Sequence, residues 1–350
     1  LSPQYKKERA EPMKKKVLVV EDSVLMQRVI GDIISLSDDF EVCAFARDVV
    51  EGWAKFNKHS PDLVTLDFEL PGENGLALLK KIMDSNPTPV LMLSAHTKEG
   101  AELTMRSLEM GAVDFFTKPA GPISIDLFEY KYELLSKLKG VAEAKFTELV
   151  RKRILRKPDI LTEYYVGIAS STGGVHALNY LIPSFPPRSG LRTIIVQHMP
   201  KYFTATLAQH LNERSSVVVK EAQDGDPISP GEVLIAPGGY HIQVHPSGAK
   251  VILTDEPPRH GVKPSADILF FSMAEVFGNK AIGVILTGMG HDGAAGLRRI
   301  KECGGMTIVQ DPIEATISSM PQTAIDTGLV DFILPLNLLL QKIWELIIHD

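Results

Sequence analysis

The chain has 350 residues, 44% hydrophobic and 23% charged, with a formal net charge of −6. Its length exceeds one typical compact domain and sets two as the expectation, and the ordinary hydrophobic content suits a soluble globular protein. The acidic balance argues against a general nucleic-acid binder, the two distant cysteines, Cys43 and Cys303, read as free thiols of a reducing compartment, and no apolar run is long enough to span a bilayer.

Residues 1–12, "LSPQYKKERAEP", lack the apolar stretch of a secretory signal and read as a disordered or appended tail. Folded sequence is expected from Met13, in a cytoplasmic protein. From there five β-rich runs follow, "KVLVVED", "EVCAFA", "DLVTLDF", "PVLMLSA" and "VDFFTKP". Their near-continuous apolar character predicts strands buried on both faces of a parallel sheet. Met26, Val29, Ile30, Ile33 and Ile34 keep helical spacing between two of them, as do Leu76, Leu79 and Ile82 further on. This alternation predicts an open, doubly wound α/β domain over residues 13–122. Residues 123–159, rich in Leu, Glu, Lys and Ala, predict a helical linker. Its basic run "RKRILRKP" reads as a solvated interdomain stretch rather than a nucleic-acid patch.

A second alternation fills residues 160–347, with strands predicted at "YVGIA", "RTIIVQ", "VLIAP", "VILT", "AIGVILTG" and "MTIVQ". The fold class is therefore α/β: two doubly wound parallel-sheet domains in tandem, the first flavodoxin-like and the second Rossmann-like. Pro-rich loops interrupt the second domain at "SFPPRSG" and "DEPPRHGVKPSAD". Loops that long in a compact domain are more often functional than not.

Two clusters carry chemistry. In the first domain Glu21 and Asp22 end the first strand, Asp67 the third and Ser94 the fourth, and Lys118 follows in the fifth. All fall at the carboxyl edge of the sheet, where open α/β domains bind ligands. Three carboxylates there would repel one another unless a hard cation joined them, which suits Mg²⁺. Taken singly, Asp22 or Ser23 could only cap a helix; their co-occurrence at successive strand ends weighs against that.

In the second domain "VGIASSTGGVHAL" runs a strand into Ser170 and Ser171, His198 closes "RTIIVQ", and Asp292 follows "AIGVILTGMGH". Serine, histidine and aspartate at three strand ends form the set needed for acyl transfer, with imidazole as base and carboxylate as its orienter. The order Ser…His…Asp and the sequence "SSTGG" differ from the α/β-hydrolase pattern. Among other histidines, His291 adjoins Asp292, His176 falls on the following helix and His241 lies in a loop beside the site. Asp292-Gly293 alone could be a turn. "SSTGG" lacks the spacing and Lys of a phosphate loop, although a helix N-terminus can hold an anion or an oxyanion. Spacing does not separate Ser170 from Ser171.

Residues 13–120, through "EDS", "DFELPGENG", "SA" and "GAVDFFTKP", resemble a response-regulator receiver domain. The resemblance implies that Asp67 accepts a phosphoryl group from a histidine kinase. Mg²⁺ would sit on Glu21, Asp22, Asp67 and the backbone carbonyl of Glu69. Lys118 and Ser94 would meet the phosphoryl oxygens, and Phe115 would be the aromatic that changes rotamer. Residues 160–347, through "SSTGG", "QHMP", "KEAQDGDPISPG", "IAPGGYH", "PSADILF", "LTGMGHDGAAGL" and "MPQTAI", resemble the catalytic domain of the chemotaxis receptor methylesterases, the CheB family. This resemblance implies Ser171 as nucleophile, His198 as base and Asp292 as orienter, with Met289 and Thr172 at the oxyanion pocket and no cofactor for the ester chemistry. Ala169-Ser170 stands where the family usually has Gly-Ala.

The family likeness further implies hydrolysis of glutamate γ-methyl esters on methyl-accepting receptors and deamidation of receptor glutamines. The unphosphorylated receiver would cover the catalytic face. A monomer with a receptor substrate and a kinase phosphodonor is expected, without nucleic-acid binding or membrane insertion. A receiver controlling a non-catalytic binding domain is the rival reading. A receiver-controlled transcription factor is weaker, because no helix-turn-helix pattern is present.

Overall fold

The computed structural model describes residues 14–119, 125–145, 163–186 and 190–348. The expected tail, the whole of the basic run and the middle of "SFPPRSG" lie outside them. The first domain alternates β1 (Lys15–Val20), α1 (Val24–Ser35), β2 (Phe40–Ala46), α2 (Val49–His59), β3 (Leu63–Asp67), α3 (Gly75–Ser85), β4 (Val90–Ala95), α4 (Lys98–Glu109) and β5 (Asp114–Lys118). The short α5 (Ile125–Glu129) and α6 (Lys131–Ala142) follow. All five strands are parallel in the order β2-β1-β3-β4-β5, the flavodoxin-like arrangement expected. Helix starts follow local chemistry: Asp48 accepts the Glu51 N–H at 2.7 Å and Thr97 the Gly100 N–H at 2.9 Å, each satisfying an orphan first-turn donor.

The segment expected as a linker is not a free tether over α6. Leu134, Leu138 and Val141 are buried among Val17, Ile33, Leu91 and Phe116, so α6 completes the first domain. An i, i+4, i+7 apolar stripe needs a face to cover, and the open side of β4 and β5 supplies one.

The second domain contains β6 (Tyr165–Ser170), α7 (Gly174–Leu181), β7 (Arg192–Gln197), α8 (Phe203–Arg214), β8 (Val218–Glu221), β9 (Glu232–Ile235), β10 (His241–Val244) and β11 (Val251–Thr254). It ends with α9 (Ala266–Phe277), β12 (Ala281–Ile285), α10 (Ala294–Glu302), β13 (Met306–Gln310), α11 (Ser319–Asp326), β14 (Phe332–Leu334) and α12 (Leu336–Ile348). Seven strands form a parallel sheet in the order β14-β13-β12-β6-β7-β9-β8, while β10 and β11 pair as an antiparallel hairpin. The predicted strand "VILT" therefore lies outside the main sheet, and β8, β10 and β14 are strands without a predicted counterpart.

Chain order reverses across β6, with β7 on one side and β12 on the other. The crevice beyond the carboxyl ends of β6 and β12 is a topological switch point, the usual ligand site of such sheets. One apolar core runs unbroken from the α4 side of the first sheet, through Met105 and Phe115, into Phe203, Leu207 and Leu178 of the second domain.

Candidate active site and its receiver contacts

The N–H of His198, one residue past β7, donates to the Ser170 carbonyl at 3.0 Å. Its nearly buried imidazole meets the Asp292 carboxylate, with Nε2 and Oδ2 2.8 Å apart. Asp292 also accepts from Ser265 Oγ at 2.6 Å, from the Ala266 N–H at 2.6 Å and from the Asp267 N–H at 3.2 Å. The carboxylate thus closes the N-terminus of α9 as a cap supplied from another element, in a favourable dipole position. Burial alone pushes its carboxyl up. The His198 hydrogen bond and charge, with the donors of α9, outweigh burial and hold the pKa at about 2. A fixed, ionised Asp292 on Nε2 leaves Nδ1 of His198 as the nitrogen for proton transfer.

The two serines occupy different environments. Ser170 is fully buried and donates to Gln197 Oε1 at 2.6 Å, while Gln197 Nε2 donates to the Ser171 carbonyl at 2.9 Å. A β-carbon on Gly174 would fall 2.2 Å from that Gln197 oxygen and 2.7 Å from Ser170 Cβ, so only glycine lets α7 start this close to the strand. Ser171 is half-buried at the crevice. Its N–H reaches the Thr287 carbonyl at 3.1 Å, and a β-carbon on Gly288 would stand 2.8 Å from Ser171 Cβ. Among the described residues, no hydrogen bond joins Ser171 Oγ to His198. The serine, histidine and aspartate therefore share one sheet edge, with the His–Asp half assembled and the Ser–His contact open.

Around them, the amides of Gly288 and Gly290 are bonded to the Ile317 carbonyl and to Ser319 Oγ. Among the described residues the Met289 amide has no partner, so it is available as a donor. His241 is fully buried, accepting the Ser265 N–H on Nδ1 at 3.1 Å and facing the Pro257 carbonyl with Nε2; it braces the start of α9. His291 is exposed and makes no contact with Asp292 beyond adjacency in the chain.

In the first domain, Lys118 Nζ bridges Asp67 Oδ2 at 2.6 Å and Glu21 Oε2 at 2.8 Å. Asp67 and Glu21 are buried, whereas Asp22 and Glu69 are exposed. Carboxylate oxygens of Glu21, Asp22 and Asp67 lie within 4.8 Å of one another. Burial raises Glu21 to about 7 against the opposing pull of Lys118, which marks a place for more positive charge. Hard oxygen donors so grouped fit Mg²⁺. Ser94 faces away, donating to the Gly100 carbonyl at 3.1 Å and accepting from Thr104 Oγ1 at 2.9 Å.

Phe115 is buried and stacks on Phe203 of α8, ring centres 4.6 Å apart and planes 8° apart. His96, after β4, meets the edge of Tyr202 at 5.5 Å. Glu109 at the end of α4 pairs with Arg214 and with His210 Nδ1 at 3.3 Å. Thr172, directly after Ser171, donates to Asp114 Oδ2 at 2.6 Å, and Lys137 holds the same oxygen at 2.9 Å. Ser136 of α6 donates to Met289 Sδ at 3.5 Å. Ser171 opens on a cavity of about 320 Å³ between the domains, lined also by Asp114, Phe115, Gln197 and Thr287. Of these contacts, sequence reasoning missed Asp114, Gln197, Phe203 and Ser265, whose roles depend on elements far away in the chain. The "PSAD" before an apolar run was a legible helix-start signal for Ser265 alone.

A receiver-type sheet with its acidic pocket, seated on the carboxyl edge of a second α/β domain that holds a His–Asp pair beside a serine, defines a hydrolase-type domain joined to a receiver-type one. A sequence profile of the response regulator receiver domain matches residues 17–126, and one of CheB methylesterase matches residues 166–343. The protein-glutamate methylesterase/protein-glutamine glutaminase of Pyrococcus abyssi is 44% identical over 333 residues, covering 92% of this chain and 90% of that protein. The enzyme of the same name from Geobacillus kaustophilus is 41% identical, covering 95% and 98%. The crystal structure of the Thermotoga maritima CheB methylesterase catalytic domain superposes with a TM-score of 0.51 at 38% identity, covering 53% of this chain and all of that one. The chain belongs to the CheB methylesterase family and is a hydrolase carrying a response-regulator receiver.

Proposed function

We propose that this protein is a phosphorylation-activated protein-glutamate methylesterase of chemotactic adaptation, acting in the cytoplasm as a monomer. Its substrates are glutamate γ-methyl esters on methyl-accepting receptors. The observation that carries the reading is the preformed, ionised Asp292–His198 pair beside Ser171, under a receiver that contacts the residue following that serine.

Ser171 Oγ attacks the ester carbonyl and passes its proton to His198 Nδ1. The free Met289 amide, with Thr172 bordering the pocket, meets the developing oxyanion. His198 returns the proton to the departing methoxide, which leaves as methanol. It then takes a proton from water, which hydrolyses the acyl-enzyme to free glutamate and Ser171. With a glutamine substrate the same steps expel ammonia, which accounts for deamidation.

In the receiver, Glu21, Asp22, Asp67 and the Glu69 carbonyl would hold Mg²⁺, which supplies charge neutralisation for phosphoryl transfer from a histidine kinase. Phospho-Asp67 offers new acceptor oxygens to Lys118 and to Ser94. Drawing Ser94 off the Gly100 carbonyl reshapes the loop that carries His96 and frees Phe115 to change rotamer. Both residues pack on the start of α8, so the closed arrangement loses contacts and the crevice opens.

The test is methanol release from methylated receptor by wild type and Ser171→Ala, with and without a small phosphodonor and Mg²⁺. Stimulation of wild type and loss in the variant are expected. Equal release by the variant removes the serine mechanism, and equal release with and without phosphodonor removes the gating.

A further inference from the structure

The loop "DEPPRHGVKPSAD", whose last residues donate to Asp292, also places His260 against His291. His260 Nδ1 and His291 Nε2 are 3.1 Å apart, with the rings edge to face at 4.5 Å. On its other side His260 Nε2 faces Asp267 Oδ2 at 3.1 Å. Asp267 is 1% exposed, so the imidazole N–H is a hydrogen-bond donor that the buried carboxylate requires, beside the charge of Arg259. That contact fixes the tautomer: Nε2 carries the proton and Nδ1 presents a lone pair toward His291. A carboxylate that orients a histidine so that its other nitrogen is free is the usual support of a metal-binding imidazole. His260 also holds a left-handed backbone, φ +54, a costly conformation for a non-glycine residue that persists only where its surroundings fix it.

We propose that His260 Nδ1 and His291 Nε2 form a binding site for a divalent transition metal of the Zn²⁺ type at the rim of the active crevice, with water completing the shell. Two nitrogens on a tetrahedral Zn²⁺ lie about 3.3 Å apart, close to the separation present. His291 is exposed and the His260 side chain is 32% exposed, leaving room for water. Imidazole pairs favour Zn²⁺, Cu²⁺ or Ni²⁺ over Mg²⁺ or Ca²⁺, which prefer oxygen. The nearby carboxylates are not the ligands. Asp267 is occupied by His260 and by the Gly296 N–H at 2.7 Å, and Asp292 by its four donors. Arg259, with Nε 3.8 Å from Asp267, adds a positive charge near the ion. Two protein ligands beside that charge make the site weaker than a four-ligand structural zinc site.

The site is coupled to the triad through the chain. His291 immediately precedes Asp292, and Asp267, which orients His260, gives its own N–H to Asp292. A metal held here therefore pins two supports of the orienting carboxylate.

The full chain, with Mg²⁺ in excess to fill the receiver carboxylates, is titrated with Co²⁺ as a spectroscopic probe and with Zn²⁺ against a chromogenic chelator. Wild type is expected to take up one Zn²⁺ at micromolar concentration and to give a visible Co²⁺ band that Zn²⁺ abolishes. His291→Gln keeps a hydrogen-bonding side chain at an exposed position and should weaken binding at least tenfold with an unchanged Tm. His260→Gln should weaken binding by a similar factor, with Tm lowered by the disturbed Asp267 contact, and His245→Gln, at a half-buried histidine elsewhere, should leave binding as in wild type. Undiminished binding in both His260→Gln and His291→Gln would overturn the proposal, as would loss in His245→Gln alone. These readouts do not depend on the esterase reaction.

Discussion

Ser170 and Ser171 show how adjacent hydroxyls are assigned different work by their surroundings. Ser170 ties β6 to Gln197 inside the sheet, and its loss leaves Gln197 Oε1 buried without that donor, at a cost of about 1–3 kcal/mol. Ser170→Ala is therefore expected to lower the free energy of unfolding by that amount in urea melts while methanol release stays within a few-fold of wild type. A collapse of activity at unchanged stability would reverse the assignment. Asp292 allows a second prediction. Its folded pKa, about 2, lies below the ordinary 3.8. Its stabilising contribution is thus complete above pH 4 and is lost as pH falls toward 2, amounting to about 2 kcal/mol. The stability advantage of wild type over Asp292→Asn should shrink across that window; a constant difference from pH 5 to pH 2 would show that the carboxylate is not held ionised by its donors. At this scale the sequence was informative about which residue types meet. Strand-end positions brought His198 and Asp292 together on paper, but Gln197, Ser265 and the remote cap on α9 depend on side-chain reach, which spacing does not record.

Among elements, α4 and α8 carry the boundary between the domains. Glu109 is desolvated there, yet its hydrogen bonds to Arg214 and His210 hold its carboxyl below the usual range. Partly exposed pairs of this kind contribute roughly 0.5–1 kcal/mol. Glu109→Gln should therefore raise unphosphorylated methanol release about two- to fivefold and reduce the stimulation by phosphodonor in proportion. No change in either rate would remove this pair from the closed arrangement. Strand prediction succeeded where apolar runs are long and central, as in β1, β6 and β12. It missed β8, β10 and β14, which have three or four residues, because edges and hairpins lack the double-sided burial that makes a run continuous. Composition marked the α6 segment as helical but did not say that β4 and β5 were its partner.

For the whole molecule, an apolar core that continues from one domain into the other means that their contact is held by packing as well as by polar contacts. Chelation of Mg²⁺ should abolish stimulation by a phosphodonor while leaving the unphosphorylated rate unchanged; stimulation that survives chelation would place the trigger outside the Glu21–Asp22–Asp67 pocket. Amide exchange at the start of α8 should quicken on phosphorylation, since Phe203 would lose the Phe115 ring.

The capping of α9 by Asp292 has a consequence for how this enzyme can be rewired. Every donor to that carboxylate, His198, Ser265, Ala266 and Asp267, comes from the second domain. His198, the proposed base, is consequently oriented from within its own domain. The receiver reaches this domain elsewhere, through Thr172, Met289 and α8, so on the proposed mechanism it acts on the serine and oxyanion side of the crevice and leaves the His–Asp pair untouched. A different sensory module grafted onto the same sheet edge would inherit a His–Asp pair already in place and would have to govern only the serine side.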